Sequence, residues 1–499
     1  MTAVSETDAE VTALPETFDS VSPITGGVVG TYRIDTAEDV ATAVERARAA
    51  TGFWTGLDFD GRAKRLLAWK HAIAKGIDEL AAVVHRDTGK PIPDARLEIV
   101  LALDHIDWAA KNARKVLGPK KVRSTIATPD IISTVEYQQL GVVGVIGPWN
   151  YPVFTPMGSI AYALSAGNTV VFKPSEYSPG VGAWLVDRFA EVVPEADVFQ
   201  LITGLGPTGA ALCEAGVDKV AFTGSARTGK LVMRACSETL TPVVIEAGGK
   251  DPILVDIDAD LDKAADAALW GAMSNAGQTC VGVERAYVHN AVLQPFLDLL
   301  VEKASEISAG PNEKIGPITM PGQLDVIRRH IDDALDRGGR ALVGGRDAID
   351  GNYVQPTILV DVPEDSLAVR EETFGPTITV RGVDNMDEAI ELANDTDYGL
   401  GSTVFSKRRG VELARRIRSG MTAVNSVISF AAVPGVPFGG IGNSGFGRIH
   451  GPDGLREFTT PKVISRRRFP APLQLTSFGR TGRTDALVRL FAKVLHGRG

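Results

Sequence analysis

The chain has 499 residues, 44% hydrophobic and 23% charged, and a net charge of −9. At about 150 residues per domain this is room for two or three domains, and the acidic balance speaks against nucleic acid as a partner. Cys213, Cys236 and Cys280 are the only cysteines and have no CxxC or Cys/His spacing, which argues against a disulfide framework or a zinc site and for a reducing, cytoplasmic setting.

Residues 1–20 are polar and acidic without an apolar stretch, so a mobile arm is expected there and no signal peptide. Thr36 with Asp39 forms a capping-box pattern ahead of Val40, Val44 and Ala47 at helical spacing. One long helix is predicted over residues 60–85, closed by Gly89 and Pro91. Residues 123–139 alternate in a β-like way, a ribbon whose edge would be paired, often with another subunit. From residue 142 short apolar runs at 142–146, 169–172, 198–202, 220–222 and 243–246 alternate with helical stretches. That is the pattern of βαβ units around a parallel sheet, a doubly wound nucleotide-binding type of domain. A second alternation follows Gly248-Gly249, with strands at 252–255 and 286–289, a helix running through Ala276 and another over 293–307. It resumes after Gly344-Gly345 as far as about Val424. The fold class is therefore α/β, with two doubly wound lobes and a small β-ribbon. A cleft between such lobes is a usual place for cofactor and substrate to meet.

Four stretches carry candidate chemistry. Gly277-Gln278-Thr279-Cys280 follows a segment, 269–278, that reads as a helix ending in Asn275-Ala276-Gly277, and a glycine there lets a reactive cysteine ride on a tight turn. The plain alternative is a buried structural thiol. Asn150 sits between prolines in Gly147-Pro148-Trp149-Asn150-Tyr151-Pro152, held as a donor to an oxyanion or simply as a turn residue. Glu246 ends an apolar strand ahead of Gly248 and Gly249, either a general base with a raised pKa or a solvated strand end. Thr223-Gly224-Ser225-Ala226-Arg227-Thr228-Gly229 leads from a strand into a helix, either a phosphate site on the helix start or only a capped terminus. Gly204-Leu205-Gly206-Pro207-Thr208-Gly209 matches G-x-G-x-x-G, yet no acidic residue ends a strand about 20 residues on, which weakens it as a pyrophosphate loop. Lys173 and Glu176 suit a ribose better, and a carboxylate there disfavours a 2′-phosphate and so NADP.

In this order, Pro148-Trp149-Asn150-Tyr151-Pro152, Lys173-Pro174-Ser175-Glu176, Phe222-Thr223-Gly224-Ser225, Glu246-Ala247-Gly248-Gly249-Lys250, Gly277-Gln278-Thr279-Cys280, Glu372-Thr373-Phe374-Gly375-Pro376 and Pro437-Phe438-Gly439-Gly440 resemble the aldehyde dehydrogenase superfamily. The resemblance runs from about Ser22 to Gly451. It implies Cys280 as nucleophile, Glu246 as general base, and Asn150 with the Cys280 backbone N–H as oxyanion hole. It assigns Lys173 and Glu176 to the adenosine ribose, Trp149 and Ser225 with Gly224 and Gly229 to the pyrophosphate, and Glu372 and Phe374 to the nicotinamide side. The implied cofactor is NAD, with NADP use open, and the implied assembly a homodimer or homotetramer. The implied chemistry passes through a cysteine thiohemiacetal and a thioester. Residues 1–121 and 141–247 are then expected to form the cofactor-binding domain, 248–447 the catalytic domain, and 122–140 with 448–470 an oligomerisation extension.

Ala247 stands where the family usually has Leu, a loss of packing volume. The stretch Pro437-Phe438-Gly439-Gly440-Ile441-Gly442-Asn443-Ser444-Gly445-Phe446-Gly447 resembles the branch that handles medium-chain, fatty and aromatic aldehydes. The loop 426–436 has no Arg or Lys, and Tyr151, Met157 and Val281 are expected at the pocket mouth, which leans toward an apolar aldehyde. Succinate semialdehyde is the alternative substrate. A catalytically silent protein on the same fold and an enzyme passing its thioester to coenzyme A are the other readings, and Glu246 speaks against the latter. Beyond Arg466-Arg467-Arg468, in the tail 471–499, Leu487, Leu490, Phe491, Val494 and Leu495 recur at helical spacing with Arg489 and Lys493 opposite. Such an amphipathic basic helix lies on an anionic membrane surface or docks on a subunit.

Overall fold

The computed structural model describes residues 16–125, 128–470 and 477–497. In one unit, formed by residues 1–116 and 139–458, two sheets are built as the apolar runs predict. The first has the spatial order Gly445–Phe446, Val243–Ala247, Lys219–Gly224, Val142–Ile146, Thr169–Lys173, Phe199–Leu201. All neighbours are parallel except the outermost pair, in which Gly445 lies opposite Glu246. Thr169–Lys173 is buried along its whole length, as a strand covered by helices on both faces must be. Residues 445–446, read from the sequence with the second lobe, are thus hydrogen-bonded into the first.

The second sheet runs Arg340–Val343, Thr357–Val360, Thr377–Val383, Val283–His289, Asp251–Val255, Thr403–Phe405, Ala423–Val424. Only its edge strand Arg340–Val343 is antiparallel. Its core joins Ile253, Val255, Val283, Ala286, Ile358 and Ile378 to Phe296 and Leu300 of the helix Asn290–Ala304.

Several local expectations change. Thr17–Val21 pairs with Val28–Arg33 as an antiparallel hairpin, so the predicted arm is a strand from residue 17; residues 1–15 lie outside the described residues. The Thr36–Asp39 capping box is present and starts the helix Ala37–Gly56. The single helix predicted over 60–85 is two, Asp58–Lys75 and Ile77–Thr88. They break at Gly76, where a Cβ would stand 2.6 Å from the Trp184 ring. The helix Ile92–Leu117, which sequence reading passed over, follows Gly89 and Pro91.

A second unit comprises residues 117–138 and 459–499. Its sheet orders Thr459–Arg467, Ile131–Gln139 and Lys120–Val122, and Arg467 Nε meets Asp130 Oδ2 at 2.9 Å. The helix Gly482–His496 forms where the tail's periodicity places it, and none of its residues is buried. No helix among the described residues is long and apolar enough to cross a membrane.

Candidate active site

The helix expected to run through Ala276 ends earlier. It spans Leu261–Met273, and Asn275, Ala276 and Gly277 then turn left-handed with φ of 52°, 57° and 71°. Two non-glycine residues in that region cost on the order of 1 kcal/mol or more each, and here the strain swings the chain to deliver Cys280. Polar contacts hold the turn: Asn275 Nδ2 donates to the carbonyls of Asn150 (3.0 Å) and Gln278 (3.1 Å). Gln278 Nε2 donates to Asn275 O at 2.9 Å, and its Oε1 accepts from Thr319 N at 2.8 Å. Gly277 is obligatory, because a Cβ there would lie 2.0 Å from the Gly375 carbonyl oxygen. Gly277→Ala is therefore expected to lower stability by about 3 kcal/mol or more and to displace Cys280, read as a fall in the urea midpoint together with loss of thiol labelling at Cys280.

Glu246 and Cys280 meet at the end of the first sheet. Both Glu246 carboxyl oxygens are buried without a partner at hydrogen-bond distance among the described residues, although the Cys280 thiol and Thr223 hydroxyl lie near enough to favour its charge. Burial dominates and pushes Glu246 up to about 7. The Cys280 thiol is pushed well above its ordinary value by burial and then by the Glu246 charge, with Glu372 and Asp251 adding to it. A carboxyl that titrates near neutrality beside a thiol is suited to moving protons.

The two glycines after Glu246 serve a close approach, as their sequence suggests. A Cβ on Gly248 would lie 2.1 Å from Glu372 Oε2, and one on Gly249 would lie 2.6 Å from the Cys280 carbonyl oxygen. Glu372 Oε1 accepts from Gly249 N at 3.1 Å, and burial raises its carboxyl to about 8. Asn150, also buried, donates one amide N–H to Gln278 O at 3.0 Å, which leaves the second N–H of its NH₂ for another acceptor.

Among the described residues Cys280 is the one that borders both of two spaces. On one side a cleft of about 1040 Å³ is lined by Trp149, Asn150, Lys173, Glu176, Gly224, Ser225, Glu246, Glu372 and Phe374. The cofactor candidates all line this cleft apart from Gly229, where a Cβ would stand 3.2 Å from the Ile245 side chain. Trp149 and Phe374 meet edge to face with centroids 5.6 Å apart. Ser225 caps the helix Ala226–Ser237, accepting from Thr228 N, so the positive end of that helix opens on the cleft. Gly206 and Gly209 of the G-x-G-x-x-G stretch border the same cleft. These features fit a dinucleotide: glycine-lined backbone, a helix start for phosphate, and a lysine with a carboxylate for sugar hydroxyls.

On the other side is a narrow cavity of about 90 Å³ bordered by Tyr151, Phe154, Trp270, Val281, Ile428 and Phe438 among others. Tyr151 and Val281 are where the sequence puts them. Met157 is not: it is fully buried in the helix Phe154–Ala166 and does not reach the cavity. Sequence reading missed the ion pairs that shape both spaces. Lys90 pairs with Glu98, both buried, and its ammonium lies 3.8 Å from the Tyr151 ring centroid. Glu98 Oε1 also accepts from Val153 N and Phe154 N, at 2.7 and 3.1 Å, fixing the segment after Asn150. Lys250 pairs with Glu284, whose carboxylate accepts from Thr373 N and Phe374 N. Single charged residues carry no periodic signal that would have revealed them.

The sequence model of the aldehyde dehydrogenase family matches residues 11–464. The chain is 38% identical over 462 residues to a 4,4'-diapolycopene aldehyde oxidase of Methylomonas sp, covering 91% of this chain and 87% of that one. It is 34% identical to a probable NADP-linked succinate-semialdehyde dehydrogenase of Sinorhizobium fredii, covering 92% and 95%. The crystal structure of an NAD-dependent aldehyde dehydrogenase from Sinorhizobium meliloti superposes with a TM-score of 0.88 at 34% identity, over 92% of this chain and 93% of that one. A cysteine thiol bordering two spaces, a neighbouring carboxyl that titrates near neutrality and these likenesses agree: the chain belongs to the aldehyde dehydrogenase family of NAD(P)-dependent oxidoreductases.

Proposed function

We propose that this enzyme oxidises a slender, largely apolar aldehyde to its carboxylic acid with NAD, and with NADP less well. The observation that carries this reading is the position of Cys280 between a dinucleotide-sized cleft and a narrow cavity with mostly aromatic and aliphatic walls. Cys280 adds as thiolate to the aldehyde carbon, and Asn150 Nδ2 with the Cys280 N–H receives the oxyanion of the thiohemiacetal. NAD(P)⁺, when bound, takes up the hydrogen and electron pair of that carbon. Cys280 then holds the acyl group as a thioester, and Glu246 removes a proton from the water that hydrolyses it. Trp149, Ser225 and Gly224 would hold the pyrophosphate, with Gly229 letting the helix pack close; Lys173 and Glu176 the adenosine ribose; Glu372 and Phe374 the nicotinamide side. Glu176 supports NAD over NADP by repelling a 2′-phosphate.

The cavity also bears on the semialdehyde alternative. Lys90 is the only ammonium or guanidinium among its lining residues, it is already paired with Glu98, and Asp94 adds further negative charge. A substrate carboxylate finds no free cation there. NADH and NADPH appearance with hexanal, decanal, benzaldehyde and succinate semialdehyde tests the reading. Faster turnover of the apolar aldehydes with NAD is expected, and preference for succinate semialdehyde would overturn it.

Two surfaces extend the proposal. The edge strand Thr459–Arg467 exposes Val463 and Ile464, and an apolar open edge supports a homo-oligomeric contact there, read by light scattering of Ile464→Lys against the parent. Leu487, Leu490, Phe491, Val494 and Leu495 are exposed along Gly482–His496, which supports peripheral contact with an anionic membrane. Removing residues 480–499 should abolish co-sedimentation with phosphatidylglycerol vesicles; unchanged binding would end that idea.

A further inference from the structure

His450 is fully buried, and neither of its ring nitrogens has a hydrogen-bond partner among the described residues. A neutral imidazole always presents one N–H donor and one bare nitrogen acceptor. Leaving each unpaired in the interior costs on the order of 1–3 kcal/mol, so two orphaned nitrogens on one ring call for a physical reason. The ring borders the narrow cavity reached by Cys280.

The surroundings hold this side chain in place at further expense. His450 has φ of +64°, a left-handed conformation unfavourable for a residue with a Cβ. Gly158 stands in the interior of the helix Phe154–Ala166, where glycine costs about 1 kcal/mol relative to alanine. A Cβ at that position would lie 2.4 Å from His450 Nε2, so the glycine makes room for the ring. His105 packs on His450 at a 38° tilt with ring centroids 3.8 Å apart, and Phe154 and Phe438 close on it at 5.7 and 5.2 Å. The neighbouring imidazole is provided for: His105 Nδ1 meets Tyr162 Oη at 3.2 Å and its Nε2 meets Ala431 O at 3.4 Å. Tyr162 Oη in turn donates to Pro434 O at 3.0 Å. Within this cluster the unfilled bonding capacity is concentrated on His450, the ring at the cavity wall.

We propose that His450 is a specificity-determining residue of the aldehyde cavity, and that its imidazole receives a hydroxyl group carried by the substrate away from its aldehyde. This deepens the reading of the cavity as the aldehyde site and rests on it. A hydroxyl can donate to a bare ring nitrogen or accept from a ring N–H, so it can bond whichever nitrogen it meets; a carboxylate only accepts and would meet Glu98 and Asp94 in the same cavity. Burial and the adjacent His105 hold His450 well below its ordinary value, so the ring stays uncharged and offers no pairing to an acid. The preferred substrate is thus apolar along its length with a polar, uncharged far end. A site built to bond a hydroxyl discriminates strongly against the analogue without it, because the site's own buried groups are then left unpaired.

Near-isosteric pairs of two lengths test this: 4-(hydroxymethyl)benzaldehyde against 4-ethylbenzaldehyde, and 4-(hydroxymethyl)cinnamaldehyde against 4-ethylcinnamaldehyde. The native enzyme should favour the hydroxylated member of at least one pair by about 10-fold or more in kcat/KM. His450→Phe, which keeps a flat ring without donor or acceptor, should bring that ratio to about one. His450→Asn keeps a donor and an acceptor at the same backbone position, and should retain part of the preference if His450→Phe folds poorly. Calorimetric binding of the same pairs to Cys280→Ala should show the preference without turnover. No preference at either length in the native enzyme, or a preference unchanged in His450→Phe, would overturn the proposal and assign the orphaned nitrogens to a trapped water. Failure to oxidise any aldehyde, ethyl or hydroxymethyl, would instead sink the dehydrogenase reading beneath it.

Discussion

Cys280→Ala is expected to abolish aldehyde-dependent NADH formation, lowering kcat by at least about 10⁴-fold while the protein stays folded. The reason lies in where the sulfur sits. Among the described residues Cys280 alone borders both the cleft and the narrow cavity, so no second described side chain is placed to take over its role. The backbone that presents it is fixed by Asn275, Gln278 and the Gly277 contact with Gly375, none of which involves the thiol. Loss of the sulfur removes a part-buried group held as an uncharged thiol by desolvation and then by the Glu246 charge. The urea midpoint should therefore move little, and NAD should still quench the fluorescence of Trp149 at the cleft wall. Substantial turnover remaining in Cys280→Ala would displace the covalent mechanism. An unfolded variant would instead move the thiol from the chemistry to the core.

The parallel strands were legible because strands covered on both faces read as uninterrupted apolar runs. Predicted 142–146 coincides with Val142–Ile146, and 243–246 lies within Val243–Ala247. The strand ends were legible for a related reason: Asn150 and Ser225 each follow a strand, Glu246 is the penultimate residue of one, and the sheet brings strand ends together. The turn before Cys280 was misread in extent. Asn275 and Ala276 adopt left-handed conformations that their side chains disfavour, and propensity cannot announce a strain imposed by Gly375 and Gln278 from elsewhere. The split at Gly76 was hidden likewise, since what forbids a side chain there is Trp184, more than 100 residues away. Glu98 and His450 were invisible because they act through partners distant in the chain, Val153 and Phe154 for Glu98 and the Gly158 and His105 surroundings for His450, and Lys90 because its meeting with the Tyr151 ring spans about 60 residues. Met157 shows the converse: a residue near the site in sequence whose helical phase turns it into the core.

Glu246→Gln should separate the two halves of the reaction. Its carboxyl titrates at about 7, so the base form grows as pH rises through neutrality. The native kcat should follow it, climbing between about pH 6 and 8 where thioester hydrolysis limits turnover. In Glu246→Gln the water has no base, and steady-state turnover should drop by about 10²–10⁴-fold and lose that inflection. Acylation should persist, because the Glu246 charge opposes ionisation of Cys280 and its removal makes the thiolate easier to form. The expected trace is a burst of about one NADH per subunit followed by near arrest. The same substitution has a signature in stability with a fixed sign. Between its ordinary value of 4.5 and about 7 the carboxyl is ionised in the unfolded chain but still protonated in the folded one. Unfolding then releases a proton, and the native enzyme loses stability as pH rises across that window, by about 3 kcal/mol for a shift of this size. Glutamine cannot ionise, so Glu246→Gln should be the more stable protein at pH 8, with the advantage shrinking toward pH 4.5. A variant that shows neither the burst nor that pH-dependent gain in urea midpoint would place the catalytic base elsewhere; one that shows both identifies Glu246 as a residue kept at the sheet end for chemistry against the interest of the fold.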